Sequence, residues 1–241
     1  MANTQAWDRL AARRGEAAGA DTVNFGADLP TEADLRLCGD LKGRRVLDIG
    51  CGAGENAVAM AGQGAHVIAI DVSSAQLALG KRLAADTEVR VEWHQGDAAD
   101  LAFLRADSID LALAAAFVHE VEDLDRLFRQ VHRVLRAGSP FVFSHEHPMR
   151  LAVGRDNNEP GGLPLGRLEV RRSYFDSSPI ITTRDDEELQ VWPRTVADVF
   201  SGLHRAGYRV DVLLEPEVLR SADPGPAVPT SILWRARKEG V

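Results

Sequence analysis

Apolar and polar positions along this chain switch repeatedly between two periods. Short apolar, β-branched runs at 45–49, 66–70, 89–93, 109–115 and 140–145 read as strands. The stretches between three pairs of them, 55–63, 74–85 and 123–136, repeat apolar residues at three and four and read as helices. Such alternation predicts an α/β fold, a parallel sheet with helices on both faces. Residues 1 to about 43 read as a helical cap: Trp7, Leu10 and Ala11 give a partial apolar face, Gly26 to Pro30 a turn, and Thr31 to Leu41 a second helix with Thr31 as N-cap and Glu32 and Asp34 in its first turn. From 146 to 193 the regular pattern stops. A run that long without structure is uncommon inside a compact domain, so it reads as a lid with short strands, one of them at Leu168–Phe175. Regularity returns with a helix from Thr195 to Ala206 and strands at Tyr208–Leu214 and Ser231–Arg237. The expected organisation is one domain, 1–241: the cap, a ligand-binding core at 44–145, the lid insertion at 146–193, and a C-terminal helix and hairpin at 194–241.

The first strand runs into glycines, Val46-Leu47-Asp48-Ile49-Gly50-Cys51-Gly52-Ala53-Gly54, and the second ends at an acid, Val67-Ile68-Ala69-Ile70-Asp71. Glycines let backbone turn sharply and approach a ligand closely, and an acid about twenty residues on can accept hydrogen bonds from ribose hydroxyls. An adenosine-containing cofactor follows. In a dinucleotide fingerprint a third glycine would stand where this chain has Glu55, and a carboxylate in the first helical turn opposes a pyrophosphate there. Asp48 adds a second acid suited to a cationic ligand group. S-adenosylmethionine (SAM), with an ammonium, a sulfonium and no phosphate, fits these charges better than NAD or FAD.

At these residues the chain resembles the class I SAM-dependent methyltransferases, in their small-molecule bacterial branch. The glycine loop Asp48–Gly54 is similar to the family's cofactor loop, Asp71 to its ribose-binding acid, and Gly96-Asp97-Ala98 to the segment that holds adenine. Ile109–Leu113 is similar to its fourth strand, and Val131–Gly138 to the helix and turn that lead to the fifth, with Arg136-Ala137-Gly138-Ser139 where family chains often read Lys-Pro-Gly-Gly. The resemblance implies a Rossmann-like seven-stranded sheet of order 3-2-1-4-5-7-6 with its last strand antiparallel. It also implies transfer of a methyl group from SAM, leaving S-adenosylhomocysteine (SAH). The expected cofactor-binding set is Asp48, Gly50, Gly52, Gly54, Asp71, Val72, Asp97, Ala98 and Ala114.

Bulk properties narrow the acceptor. Net charge is −8, and Lys and Arg are scattered among acids. Nucleic-acid enzymes ordinarily present a basic stripe to phosphates, so a small-molecule partner is expected and a nucleic acid is not. No apolar run reaches the roughly 20 residues of a membrane span, and the polar N-terminus predicts no secretory signal. Cys38 and Cys51 are the only thiols, and Cys51 lies in the glycine loop where a disulfide would distort the site. Reduced cysteines predict a cytoplasmic protein. Monomer and homodimer both stand.

Methyl transfer from a sulfonium requires alignment of the acceptor, exclusion of water and, for some acceptors, a base. His119, just past the fourth strand, is one candidate base; its alternative role is packing against the methionine end of the cofactor. His147, after the fifth strand, is the other, and strand alternation pairs it with His145 on one face, toward substrate or as buried structural groups. Spacing supplies no third metal ligand, so no metal is expected. Phe25 is expected to fold over the cofactor mouth. Tyr174 and Trp192 offer aromatic surface to a flat acceptor or pack in the core, and Arg194 contacts an acidic acceptor group or caps a helix. Three rival functions remain open from sequence: an RNA or protein methyltransferase, an NAD(P)-dependent oxidoreductase, and a non-catalytic SAM-binding module.

Overall fold

The computed structural model describes residues 3–26, 29–153, 170–216 and 228–240. Seven strands form one sheet. β1 (Arg45–Ile49), β2 (His66–Asp71), β3 (Val91–Gln95), β4 (Leu111–Ala114) and β5 (Pro140–Glu146) pair in parallel; β9 (Ser231–Lys238) runs antiparallel to both β5 and β8 (Tyr208–Leu214). The order is β3-β2-β1-β4-β5-β9-β8, which is the expected 3-2-1-4-5-7-6 with β8 and β9 as its sixth and seventh strands. The direction of winding reverses between β1 and β4, and ligands in such sheets bind outside the carboxyl ends of the strands at that reversal.

Side-chain alternation sends neighbouring residues to opposite faces and builds two cores. Leu47, Ile49, Ile68, Ile70, Phe141 and Phe143 pack with Phe128 and Val131 of α5 (Leu124–Val134) and with Val199 and Leu203 of α7 (Val196–Arg205). Val46, Val67, Ala69, Leu111 and Leu113 face the other way, against Ala57 and Met60 of α3 (Glu55–Gly62) and against Phe25, Leu37, Cys38 and Leu41. α4 (Ser74–Asp86) lies beside β3 with Ser73 as its N-cap, its Oγ accepting from the Gln76 N–H at 3.1 Å.

Two of the boundary shifts have a visible cause. The second N-terminal helix, α2 (Glu32–Leu35), ends six residues before Leu41. Arg36 turns left-handed at φ 52°, and the buried Glu32 carboxylate accepts the N–H groups of Leu37, Cys38 and Gly39 at 2.8, 2.9 and 3.1 Å. A side chain therefore takes donors that a continuing helix would have used. β3 begins at Val91 instead of residue 89, because the Val89 N–H is spent closing α4 onto the Ala84 carbonyl at 3.0 Å.

The insertion after β5 carries a short helix, α6 (Pro148–Ala152), and a hairpin of β6 (Ile180–Arg184) and β7 (Glu187–Val191). The strand expected at Leu168–Phe175 is not formed over Val170–Phe175, where turns occur; Leu168 and Glu169 lie outside the described residues. The hairpin packs on α1 (Thr4–Arg14). Ala6 and Leu10 meet Leu189, and the buried Glu187 carboxylate pairs with Arg9 at 2.6 Å and with Arg13. Cap and insertion thus meet above the strand ends.

Candidate functional site

A cleft of about 840 Å³ opens at the carboxyl ends of β1, β2 and β4. That is ample for a small-molecule site, for which about 300–1,000 Å³ is typical. Its floor is the loop leaving β1. Gly50, at φ 63°, lies so close to Phe117 that a Cβ there would sit 2.4 Å from the ring, and at Gly54, φ 78°, it would sit 2.5 Å from Trp93. Both positions combine a left-handed backbone with close contact, which only glycine accommodates. Gly52 donates its N–H to Asp71 Oδ2 at 2.9 Å, and Asp71 Oδ1 accepts from Ser73 N–H at 2.9 Å. The acid ending β2 therefore ties the glycine loop to the start of α4.

Asp48 faces the cleft from β1, is 1% exposed, and has an Oδ2 with no hydrogen-bond partner among the described residues. Burial, with the like charges of Asp71 and Glu55 behind it, pushes its pKa up to about 8. Such an orphaned acid suits a cationic ligand group, which would draw off its proton. Burial also raises Asp71 against the backbone N–H groups of Ser73 and Gly52, which lower it. Glu55 opens α3 and is paired with Arg14. A pyrophosphate at this helix N-terminus would meet a carboxylate in the first turn. Asp97 accepts the Ala99 N–H at 2.8 Å, and Asp97 and Ala98 line the far end of the cleft with Val72.

Of the expected cofactor set, Asp48, Gly50, Gly52, Asp71, Val72, Asp97 and Ala98 line this cleft. Gly54 and Ala114 stand behind it, Gly54 at the N-cap of α3 and Ala114 wholly buried at the end of β4, where Ala115 and Ala116 take the surface.

Of the expected acceptor groups, only Trp192 reaches the cleft. His145 is buried with both ring nitrogens engaged: Nδ1 lies 2.8 Å from the Glu146 carbonyl, and Nε2 accepts from the Trp234 indole at 3.1 Å. Nδ1 must then carry the proton, and burial pulls the pKa down to about 3. No nitrogen remains for a substrate. His147 caps α6, its Nδ1 accepting from Met149 N–H at 3.1 Å while Nε2 lies 2.8 Å from Glu215. His119, His145, Trp192 and Arg194 instead wall a separate cavity of about 10 Å³, too small for any acceptor. Arg194 is spent on the carbonyls of Trp192, at 3.0 Å, and Glu122. Tyr174 accepts the Val196 N–H at 3.2 Å through its hydroxyl, and Phe25 is wholly buried under β1 and β4. The structure therefore brings neither His119 nor His147 into the cleft as a base, and leaves Phe25, His145, Tyr174 and Arg194 outside its lining. Among the described residues no cluster of metal-ligating side chains occurs.

Among the residues lining the cleft that were missed from sequence are Asn3, Trp7, Phe117, Glu120 and Arg184. Glu120 had one signal, its place on the turn directly after β4, where any side chain lies near the strand ends. Asn3, Trp7 and Arg184 had none, since only packing of the cap on the hairpin brings them there.

The sequence model of the family described as "Methyltransferase domain" matches residues 47–143, from β1 through β5. A magnesium-protoporphyrin O-methyltransferase of Rhodobacter capsulatus is 33% identical over 184 residues, spanning 72% of this chain and 82% of that protein. A ubiquinone biosynthesis O-methyltransferase of Pseudomonas syringae pv. tomato is 35% identical over 105 residues, but the match spans only 44% of this chain and 45% of that relative. Among solved structures, an S-adenosylmethionine dependent methyltransferase from Mesorhizobium loti superposes with a TM-score of 0.70 at 31% identity, covering 85% of this chain and 95% of that one.

Proposed function

The chain belongs to the S-adenosylmethionine-dependent methyltransferases, and on that premise we propose that it methylates a small molecule, at an oxygen. Membership sets aside the dinucleotide oxidoreductase and the non-catalytic module. The observation that carries the small-molecule reading is the wall on one side of the cleft: α1 and the β6-β7 hairpin lock together above the strand ends through Glu187 and contribute Asn3, Trp7 and Arg184 to its lining. A wall of that kind admits a compact acceptor more readily than a polymer. Oxygen is favoured because two curated relatives, from Rhodobacter capsulatus and Pseudomonas syringae pv. tomato, are O-methyltransferases by name.

In this reading Asp71 accepts hydrogen bonds from the ribose, and Gly50 and Gly52 bring backbone against the methionine moiety. Asp97 and Ala98 hold adenine, and Asp48 faces the ammonium. When bound, SAM supplies a methyl group already activated by its sulfonium. The protein's share is to orient the acceptor and limit water at the reacting atoms; a hydroxyl acceptor's proton would leave to solvent at the open side of the cleft, since neither His119 nor His147 lines it.

The test has two stages. Titration calorimetry of the purified chain with SAH should show one saturable site, with no response to NADH. Incubation with methyl-labelled SAM and a cell extract should then place the label in the small-molecule fraction. Label retained on RNA or protein, and released by nuclease or protease, would overturn the acceptor class.

A further inference from the structure

Glu120 is where the segments outside the cofactor half of the cleft converge. It sits on the 3-10 turn Val118–Glu120 that follows β4, and it lines the cleft. Its Oε2 accepts from Asn3 Nδ2 at 2.9 Å and from the Trp7 indole N–H at 2.7 Å. Asn3 is itself tied to β7: Nδ2 donates to the Gln190 carbonyl at 2.9 Å, and Oδ1 accepts the Gln190 N–H at 2.8 Å. The same turn is braced from the hairpin, since Trp192 N–H donates to the His119 carbonyl at 2.8 Å. Cap, insertion and post-β4 turn therefore share one polar knot, and its centre is a carboxylate. Both donors are neutral, so the charge is not cancelled. Its like charge reaches Asp71 across the cleft as one of the influences that raise that acid.

Two further features describe what such a carboxylate would meet. The rings of Trp7, Phe117 and Trp192 line the cleft, Trp7 with the Arg184 guanidinium 5.4 Å from its centroid, and among the described lining residues seven carboxyl groups, Asp48 of them protonated before a cofactor binds and Glu55 paired with Arg14, stand against three guanidiniums. The site thus offers flat apolar surface and a negative field, which favours hydrogen-bond donors and repels anions. We propose that Glu120 is a specificity-determining residue for the acceptor. With Oε2 occupied by Asn3 and Trp7, its Oε1 takes a hydrogen bond from a hydroxyl or amino group on a ring-containing acceptor that carries no negative charge. This rests on the reading that the remainder of the cleft holds SAM.

The test uses the purified full chain, Glu120→Gln and Trp7→Phe, with methyl-labelled SAM and three probes: catechol, ortho-aminophenol and protocatechuate, which is catechol bearing a carboxylate. SAH affinity is measured beside turnover. Gln can keep the Asn3 and Trp7 donors only by turning its oxygen to them, and then it presents NH₂ where the acceptor also brings a donor. The wild type should prefer catechol or ortho-aminophenol over protocatechuate by about tenfold or more in kcat/KM, the scale expected when a site built to hydrogen-bond one group meets a mismatched one. Glu120→Gln should hold SAH affinity within about twofold, lose about tenfold on the neutral probes chiefly through KM, and narrow the preference. Trp7→Phe keeps the ring, drops the indole N–H, and should move the same way by a smaller factor; it decides the matter if Glu120→Gln fails to fold.

Variants equal to wild type on all probes would overturn the proposal, as would a wild-type preference for protocatechuate. Loss of SAH binding in step with turnover would do so too, by making Glu120 part of the cofactor half. A wild type that binds SAH but methylates none of the probes overturns the acceptor class alone. One that does not bind SAH overturns the cofactor reading beneath it.

Discussion

Replacing Asp48 with Asn should stabilise the cofactor-free protein, increasingly so as pH rises. Asp48 is 1% exposed, its Oδ2 is unpartnered, and its pKa stands at about 8 against an ordinary 3.8. Between those values the folded chain holds a proton that the unfolded chain has released. Stability from this group is therefore full below pH 4 and is lost as pH rises toward the folded pKa. Four units at about 1.4 kcal/mol each put the whole cost near 6 kcal/mol, of which roughly 4 kcal/mol is present at pH 7. Asn keeps the shape and cannot ionise, so the variant escapes this loss. Urea unfolding of both proteins at pH 5, 6, 7 and 8, without cofactor, should show a gap that widens with pH. Parallel curves from pH 5 to 8 would refute the reasoning, because Asp48 would then ionise as freely folded as unfolded. The same proton supplies a second readout. If a ligand ammonium displaces it, SAH binding near pH 7 should release protons, seen as calorimetric heats that differ between phosphate and Tris, and Asp48→Asn should abolish the difference.

Asp71→Ala should weaken SAH binding by at least about tenfold, or 1.4 kcal/mol; unchanged titration calorimetry would remove Asp71 from the site. Gly54→Ala places a Cβ 2.5 Å from Trp93 at φ 78°. Left-handed strain and overpacking together should cost about 2–5 kcal/mol in urea unfolding, and a loss below about 1 kcal/mol would contradict the packing. His145, held neutral by burial with a pKa near 3, contributes stability that is full above pH 6.5 and falls as pH drops toward 3. His145→Asn should remove that fall, so the gap between wild type and variant should change by about 1.4 kcal/mol per pH unit from pH 6 to pH 4, and a constant gap would count against it.

What could be read from sequence was what short stretches of chain decide by themselves. A β-branched run ending in glycines carries its strand, its turn and its place at the sheet edge within nine residues, Val46 to Gly54, and Asp71 repeats the signal one strand over. That the sheet is parallel followed because strands recur in sequence, most of them with a helix between; the order of its strands came from the family the glycine loop resembles. What could not be read depended on partners far along the chain. His145 and His147 share strand alternation with many substrate-facing pairs, yet their roles were settled by Trp234, 89 residues on, and Glu215, 68 residues on. The α2 boundary turned on a side chain, Glu32, outbidding the helix for three backbone donors. Glu120 is the sharpest instance, since its orienting donors come from Asn3 and Trp7, 117 and 113 residues away. Cofactor chemistry is common to many chains and so collects in compact local motifs around the sheet reversal. Acceptor chemistry is particular to one chain, and on the proposed reading it is assembled here by the cap and the insertion folding onto each other. A motif search therefore finds the donor half of this cleft, and only the packing of α1 against β7 discloses the other half.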